Sequence, residues 1–195
     1  MKFIITGLLS ILLTTPTYAQ EVGRQAAAKY MQKAATKVRG EQTLALHYGK
    51  YMNSQSYVWG EGSSSNPAQS TYGLTYFMSD WNNFDMSLRV DFNEYELQDQ
   101  KPMKMSLLPL WTFPRAEAGF PLYFGLGLGV GAFFRQLPNE SNLSLDYQLV
   151  AGARLMDVFE AVGFLIEFGM KNHLHLLSDG QLNGTYLSGG VVFSF

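Results

Sequence analysis

Eight stretches of this chain alternate apolar and polar residues one by one, and almost every charge within them falls on the same side. A period of two sends successive side chains to opposite faces of a strand. The stretch from Phe84 to Glu94 is the cleanest: Phe84, Met86, Leu88, Val90 and Phe92 oppose Asp85, Ser87, Arg89, Asp91 and Asn93. The others run Thr43 to Met52, Ser70 to Ser79, Met103 to Phe113, Pro121 to Arg135, Ser144 to Met156, Ala161 to His173, and Gly184 to Phe195. Such a pattern allows few folds. Either the apolar side meets a second sheet, as in a water-soluble sandwich, or it meets lipid.

Periodicity alone does not separate these two, and three further features favour lipid. Met1-Lys2 followed by apolar Phe3 to Leu13 and the small-x-small triplet Thr17-Tyr18-Ala19 reads as an export signal over 1–19, cleaved before Gln20. No stretch reaches the roughly 20 unbroken apolar residues that a membrane helix needs, although 47% of the chain is apolar. Connections also alternate in length. Asn53 to Gln69, Tyr95 to Pro102, Gln136 to Leu143 and His175 to Asn183 are long and polar, whereas Asp80 to Asn83, Pro114 to Gly119 and Asp157 to Glu160 are short. A barrel with an even number of strands and both termini in the periplasm has short turns on that side and longer loops outside.

The last strand ends on Phe195, with Phe193, Val191, Gly189 and Leu187 on the same face. It resembles the closing strand of bacterial outer-membrane barrels, in which the terminal aromatic strand is also the signal read by the barrel assembly machinery. With eight strands, the chain resembles the small outer-membrane barrels of the OmpA-transmembrane and OmpX/OmpW-like kind. That resemblance implies an all-β, eight-stranded antiparallel up-and-down transmembrane barrel over 41–195, monomeric in the bacterial outer membrane, in contact with its lipid and lipopolysaccharide. Residues 20–40 are alanine-rich and basic, with Val22, Ala26, Tyr30 and Ala34 at helical spacing, and read as a short periplasmic helix. Trp81, Trp111, Phe113, Phe193 and Phe195 fall at strand ends that would share one rim, an aromatic girdle at the membrane interface.

The inner faces carry four acids and four bases: Asp85, Arg89, Asp91, Lys104, Asp146, Arg154, Glu167 and Lys171. Eight-stranded lumens are narrow enough to be filled by side chains, and a lone charge there is costly, so these residues are expected to pair. The resulting plug either holds the barrel shut or exchanges partners to open a thin water path. Gly125, Gly127, Gly129 and Gly131 share the inner face of one strand and would leave room for a bulky neighbour such as Arg154. Gly127 to Ala132 matches a dinucleotide fingerprint, but no helix follows, so no nucleotide site is implied.

Outer-membrane lipid A deacylases are also eight-stranded barrels, with a His and a Ser two apart late in the chain. Here His175 and Ser178 are three apart, which in a regular strand puts them on opposite faces unless a bulge intervenes. There is no cysteine, hence no thiolate metal site, and His173 and His175 find no third ligand nearer than His47. No cofactor or metal is implied. A net charge of −2 argues against nucleic acid as a partner. The leading reading is a non-enzymatic barrel with a charge-paired, closed lumen and a structural or surface-contact role. Its rivals are a narrow channel or conduit for hydrophobic molecules and, third, a lipid A hydrolase.

Overall fold

The computed structural model describes residues 42–58, 62–96, 101–134 and 141–195. The expected signal over 1–19 and basic helix over 20–40 lie outside those residues. Eight long strands form: β1 (Thr43–Val58), β3 (Ala68–Trp81), β4 (Phe84–Tyr95), β5 (Met103–Phe113), β6 (Leu122–Phe133), β7 (Leu143–Phe159), β8 (Val162–His175) and β9 (Gln181–Ser194). A short strand, β2 (Gly62–Ser65), folds back on the end of β1. Each long strand pairs antiparallel with the next, and β1 pairs with β9 from Thr43–Ser194 to Tyr57–Gln181, which leaves no open edge between first and last. The chain is a closed eight-stranded antiparallel barrel.

Closure explains why these strands are stable without a second layer. Every wall strand is hydrogen-bonded on both sides, so the backbone needs neither water nor a covering sheet. The alternation then separates two environments. Along β4, Asp85, Arg89, Asp91 and Asn93 are buried, while Phe84 is exposed and Met86, Leu88, Val90 and Phe92 are partly so. On β6, Leu122, Phe124, Leu126, Leu128 and Val130 stand outward, and Phe124 is 65% exposed. An unbroken apolar exterior of this extent has no place in water, where a monomer's largest apolar patch rarely exceeds a few hundred Å².

One end of the barrel carries tight turns. Asn82 (φ 54°) and Glu160 (φ 54°) reverse the chain between β3 and β4 and between β7 and β8. Asparagine takes that left-handed conformation readily, because its short amide can bond locally. The opposite end carries the longer connections, and there the structure departs from expectation. The stretch Asn53 to Gln69, read as a loop, is mostly strand: β1 continues to Val58, β2 pairs with it, and β3 begins at Ala68. The ladder requires only paired backbone, so a polar ribbon in water can extend it with no apolar face to betray it in sequence. Likewise β8 runs through His175. Pro109 behaves as a residue without an N–H should. The β5–β6 ladder lapses between Leu107–Val130 and Leu110–Gly127 and resumes in the same register.

Candidate functional site: the charged lumen

The inward side chains stack from the short-turn end to the long-loop end. Nearest the turns, Arg154 on β7 donates through Nη2 to the Pro114 carbonyl at 2.5 Å and lies 3.3 Å from Asp85 Oδ2. Its guanidinium also covers the Tyr123 ring, 4.8 Å from the centroid. Asp85 accepts from the Ala116 amide at 2.7 Å, and Arg115 approaches the same carboxylate at 3.7 Å.

The next layer is the tightest. Arg89 on β4 grips Glu167 on β8 with two hydrogen bonds, Nη2 to Oε1 at 2.7 Å and Nη1 to Oε2 at 3.0 Å. Its Nε donates to Thr75 at 2.8 Å, and the Tyr123 hydroxyl donates to Glu167. Arg89 and Glu167 are each 1% exposed, so every element of a costly burial is answered by a fixed partner. Above it Lys171 sits 2.8 Å from Asp91, donates to Thr71 at 2.6 Å, and lies under the Tyr186 ring at 4.7 Å. His47 Nε2 meets Asp91 at 2.7 Å.

The last charged layer is Lys104 with Asp146, at 2.5 Å. Lys104 also donates to His173 Nδ1, Ser144 donates to Asp146 at 2.6 Å, and His173 Nε2 meets the Tyr95 hydroxyl at 2.8 Å. Above this, Phe133 stacks on His175 with centroids 5.2 Å apart. Buried Phe133, Tyr95, Leu182 and Ala68 close the top, with Tyr51 packed against them.

The eight charges singled out from the sequence therefore face inward and form four opposite pairs, Asp85–Arg154, Arg89–Glu167, Asp91–Lys171 and Lys104–Asp146. Sequence reading missed what surrounds them. His47, His173, Tyr51, Tyr95, Tyr123 and Tyr186 all contribute atoms to the network. Their signal was present, because most fall on the inward phase of a strand. An aromatic ring on an inner face, however, does not say which charge it will touch.

The glycine row of β6 faces other neighbours than Arg154. A Cβ at Gly127 would meet Leu108 Cδ1 at 2.7 Å, one at Gly129 the Leu107 carbonyl oxygen at 2.1 Å, and one at Gly131 Lys104 Cε at 2.2 Å. The glycines thus make room for β5 and the Lys104–Asp146 pair. Arg154 fits over Tyr123 instead, whose ring is admitted by Gly152 on β7.

Of the expected interface aromatics, Trp81 (60%), Phe113 (47%), Phe193 (38%) and Phe195 (66%) are exposed at the short-turn end, whereas Trp111 is only partly so. Phe113 and Phe84 pack with centroids 5.6 Å apart. His175 Nδ1 donates to the Ser141 carbonyl at 2.9 Å, and Ser178 Oγ accepts from the Ser141 amide at 3.0 Å. Those bonds clamp the β6–β7 connection to the β8–β9 hairpin. No group of three or more metal-ligating side chains occurs among the described residues.

No family model matches the chain, and no curated protein does. Among solved structures it is similar to Neisserial surface protein A, at 15% identity over 80% of this chain and 100% of that one, with a TM-score of 0.48. Ail, the attachment invasion locus protein of Yersinia pestis, matches at 16% identity over 80% of this chain and all of its own, with a TM-score of 0.48. The outer membrane enzyme PagL matches at 13% identity over 75% and 97%, with a TM-score of 0.46. Likenesses this distant say nothing of what the barrel does.

Proposed function

We propose that the protein is a non-enzymatic, monomeric barrel of the bacterial outer membrane, closed to flow, that acts structurally or through contacts at its outer rim. The observation that carries this reading is the continuity of the plug. From Arg154 to His173 each layer of side chains bonds the next strand across the lumen, with Arg89 held to Glu167 by two bonds. The apolar exterior supports placement in lipid, and lipid together with lipopolysaccharide is its natural surrounding. Beyond the bilayer, its partners are the barrel assembly machinery through β9 and whatever the β1–β2 extension meets.

Planar-bilayer recording tests the closed lumen. Inserted wild-type barrels are expected to be electrically silent, whereas the Arg89→Ala, Glu167→Ala double variant, which empties the central layer without leaving a lone charge, opens small discrete steps. Steps of steady conductance from the wild type would overturn the reading in favour of a channel. Release of fatty acid from lipopolysaccharide by the wild type, lost in Ser178→Ala, would overturn the non-enzymatic part.

A further inference from the structure

The barrel wall parts between β1 and β3 toward the long-loop end. The β1–β3 ladder ends at Lys50–Ser70, while β1 goes on pairing with β9 as far as Tyr57. A bulge between Tyr51 and Asn53 lets β1 turn from β3, and Ser54 and Asn66 span the gap instead. Asn66 N donates to the Ser54 carbonyl at 2.7 Å, and Ala68 N to Ser54 Oγ at 2.9 Å. A groove of about 370 Å³ opens there on the outer surface, lined by Tyr48, Lys50, Met52, Asn66 and Gln69 with Tyr51 as its floor.

Two properties of this groove are independent of its size. Its floor is fixed: the Tyr51 hydroxyl donates to Asn93 at 2.9 Å and its ring packs on Tyr186 and Tyr95. Its lining is graded. Leu46 and Tyr48 are exposed apolar side chains continuous with the belt, Lys50 stands exposed next to them on β1, and Met52, Asn66 and Gln69 are exposed on its loop side. Lys50 is the unusual member. The lumen cations Arg89, Lys104, Arg154 and Lys171 each face a carboxylate, yet Lys50 has none at ion-pair distance among the described residues. The nearby acid in register, Glu94 on β4, is engaged by the Ser70 hydroxyl.

We propose that the groove between β1 and β3 holds the anionic phosphate headgroup of one membrane lipid, its phosphate on Lys50 and its acyl chain running back along Tyr48 and Leu46. An ammonium at the edge of an apolar belt binds such a headgroup by a charge-assisted hydrogen bond while the chain stays in hydrocarbon. This inference rests on the reading of the barrel as a lipid-embedded protein. It makes no use of the charge pairs in the lumen.

The test uses the full chain refolded in a non-ionic maltoside detergent, with folding checked by heat-modifiable gel mobility. Native mass spectrometry then follows titration with dodecyl phosphate, with dodecanol and inorganic phosphate as separate arms. One dodecyl phosphate is expected to be retained saturably, and neither control is expected to bind comparably. Lys50→Gln weakens retention by about tenfold, the scale of a lost charged hydrogen bond, Lys50→Arg preserves it, and Gln69→Trp, which fills the groove but keeps the charge, abolishes it. Retention that never saturates, that is equal for dodecanol, or that ignores Lys50→Gln and Gln69→Trp would overturn the proposal. A barrel that folds and is electrically silent yet binds no lipid separates this failure from failure of the closed-lumen reading.

Discussion

The two halves of the lumen are built on different terms. Toward the long-loop end the filling is polar and dense: Lys171, Asp91, Lys104, Asp146 and His173 are each at most 3% exposed and bonded to one another or to tyrosines and asparagine. Toward the short-turn end the filling is apolar and looser. Leu108, Leu110, Tyr123 and Val150 form one cluster, Ala45, Leu165 and Val192 another, and a cavity of about 70 Å³ remains beside them, reaching from the Asp85–Arg154 pair to the near side of Arg89 and Glu167. Arg154 is 13% exposed at its side chain, whereas its counterpart deeper in, Arg89, is 2%. The difference shows where the seal lies. Pairs that water cannot reach must be matched bond for bond, while a pair at the mouth can be served by solvent when its partner goes.

The largest expected effect follows directly. Glu167→Ala strands the Arg89 guanidinium in the tight layer and is expected to cost about 3–5 kcal/mol in urea unfolding from micelles. Asp85→Ala leaves Arg154 near water with the Pro114 carbonyl and the Tyr123 face, and is expected to cost about 1 kcal/mol. Equal losses for the two variants would erase the distinction drawn between the halves.

Glycine substitution probes the same contrast at smaller scale. Gly131→Ala drives a Cβ into Lys104 Cε and Asp146 Oδ2, 2.2 and 2.4 Å away, so the ion pair itself must shift. The expected cost is about 2 kcal/mol. Gly127→Ala meets a leucine methyl at 2.7 Å beside the looser half, and about 1 kcal/mol is expected. If Gly127→Ala proves the more damaging in the same titration, the lower half is packed as tightly as the upper.

The smallest effect has the opposite sign. Ala45 is 8% exposed and borders the lower cavity, so Ala45→Val adds methyl groups where room exists. A gain of about 0.5–1 kcal/mol is expected, read as a higher urea midpoint at unchanged slope. A loss would mean that the space is not usable by the wall next to it.

Much of this was legible beforehand, and the reason differs between elements. The alternation of β4 separated Asp85, Arg89 and Asp91 from Met86, Leu88 and Val90 with no structure at all, because the pleat admits only two sides. The loop reading of Asn53 to Gln69 failed for the converse reason. Beyond the apolar belt both sides of a strand can be polar, so the end of β1 past Met52 and β2 carry no period to find. The glycine row on β6 was placed on the correct face but assigned the wrong neighbour, since a missing side chain does not announce who fills its space.

From its order of residues alone this protein determined its strands, their two faces and a neutral set of inner charges, since these follow from a period of two and from the cost of burying a lone ion. Only the closed barrel decided that Arg89 meets Glu167, 78 residues away, that Tyr123 and His173 complete the network, and that the wall opens beside Lys50. Those outcomes depend on strand register and tilt around the whole circumference, which no segment specifies by itself.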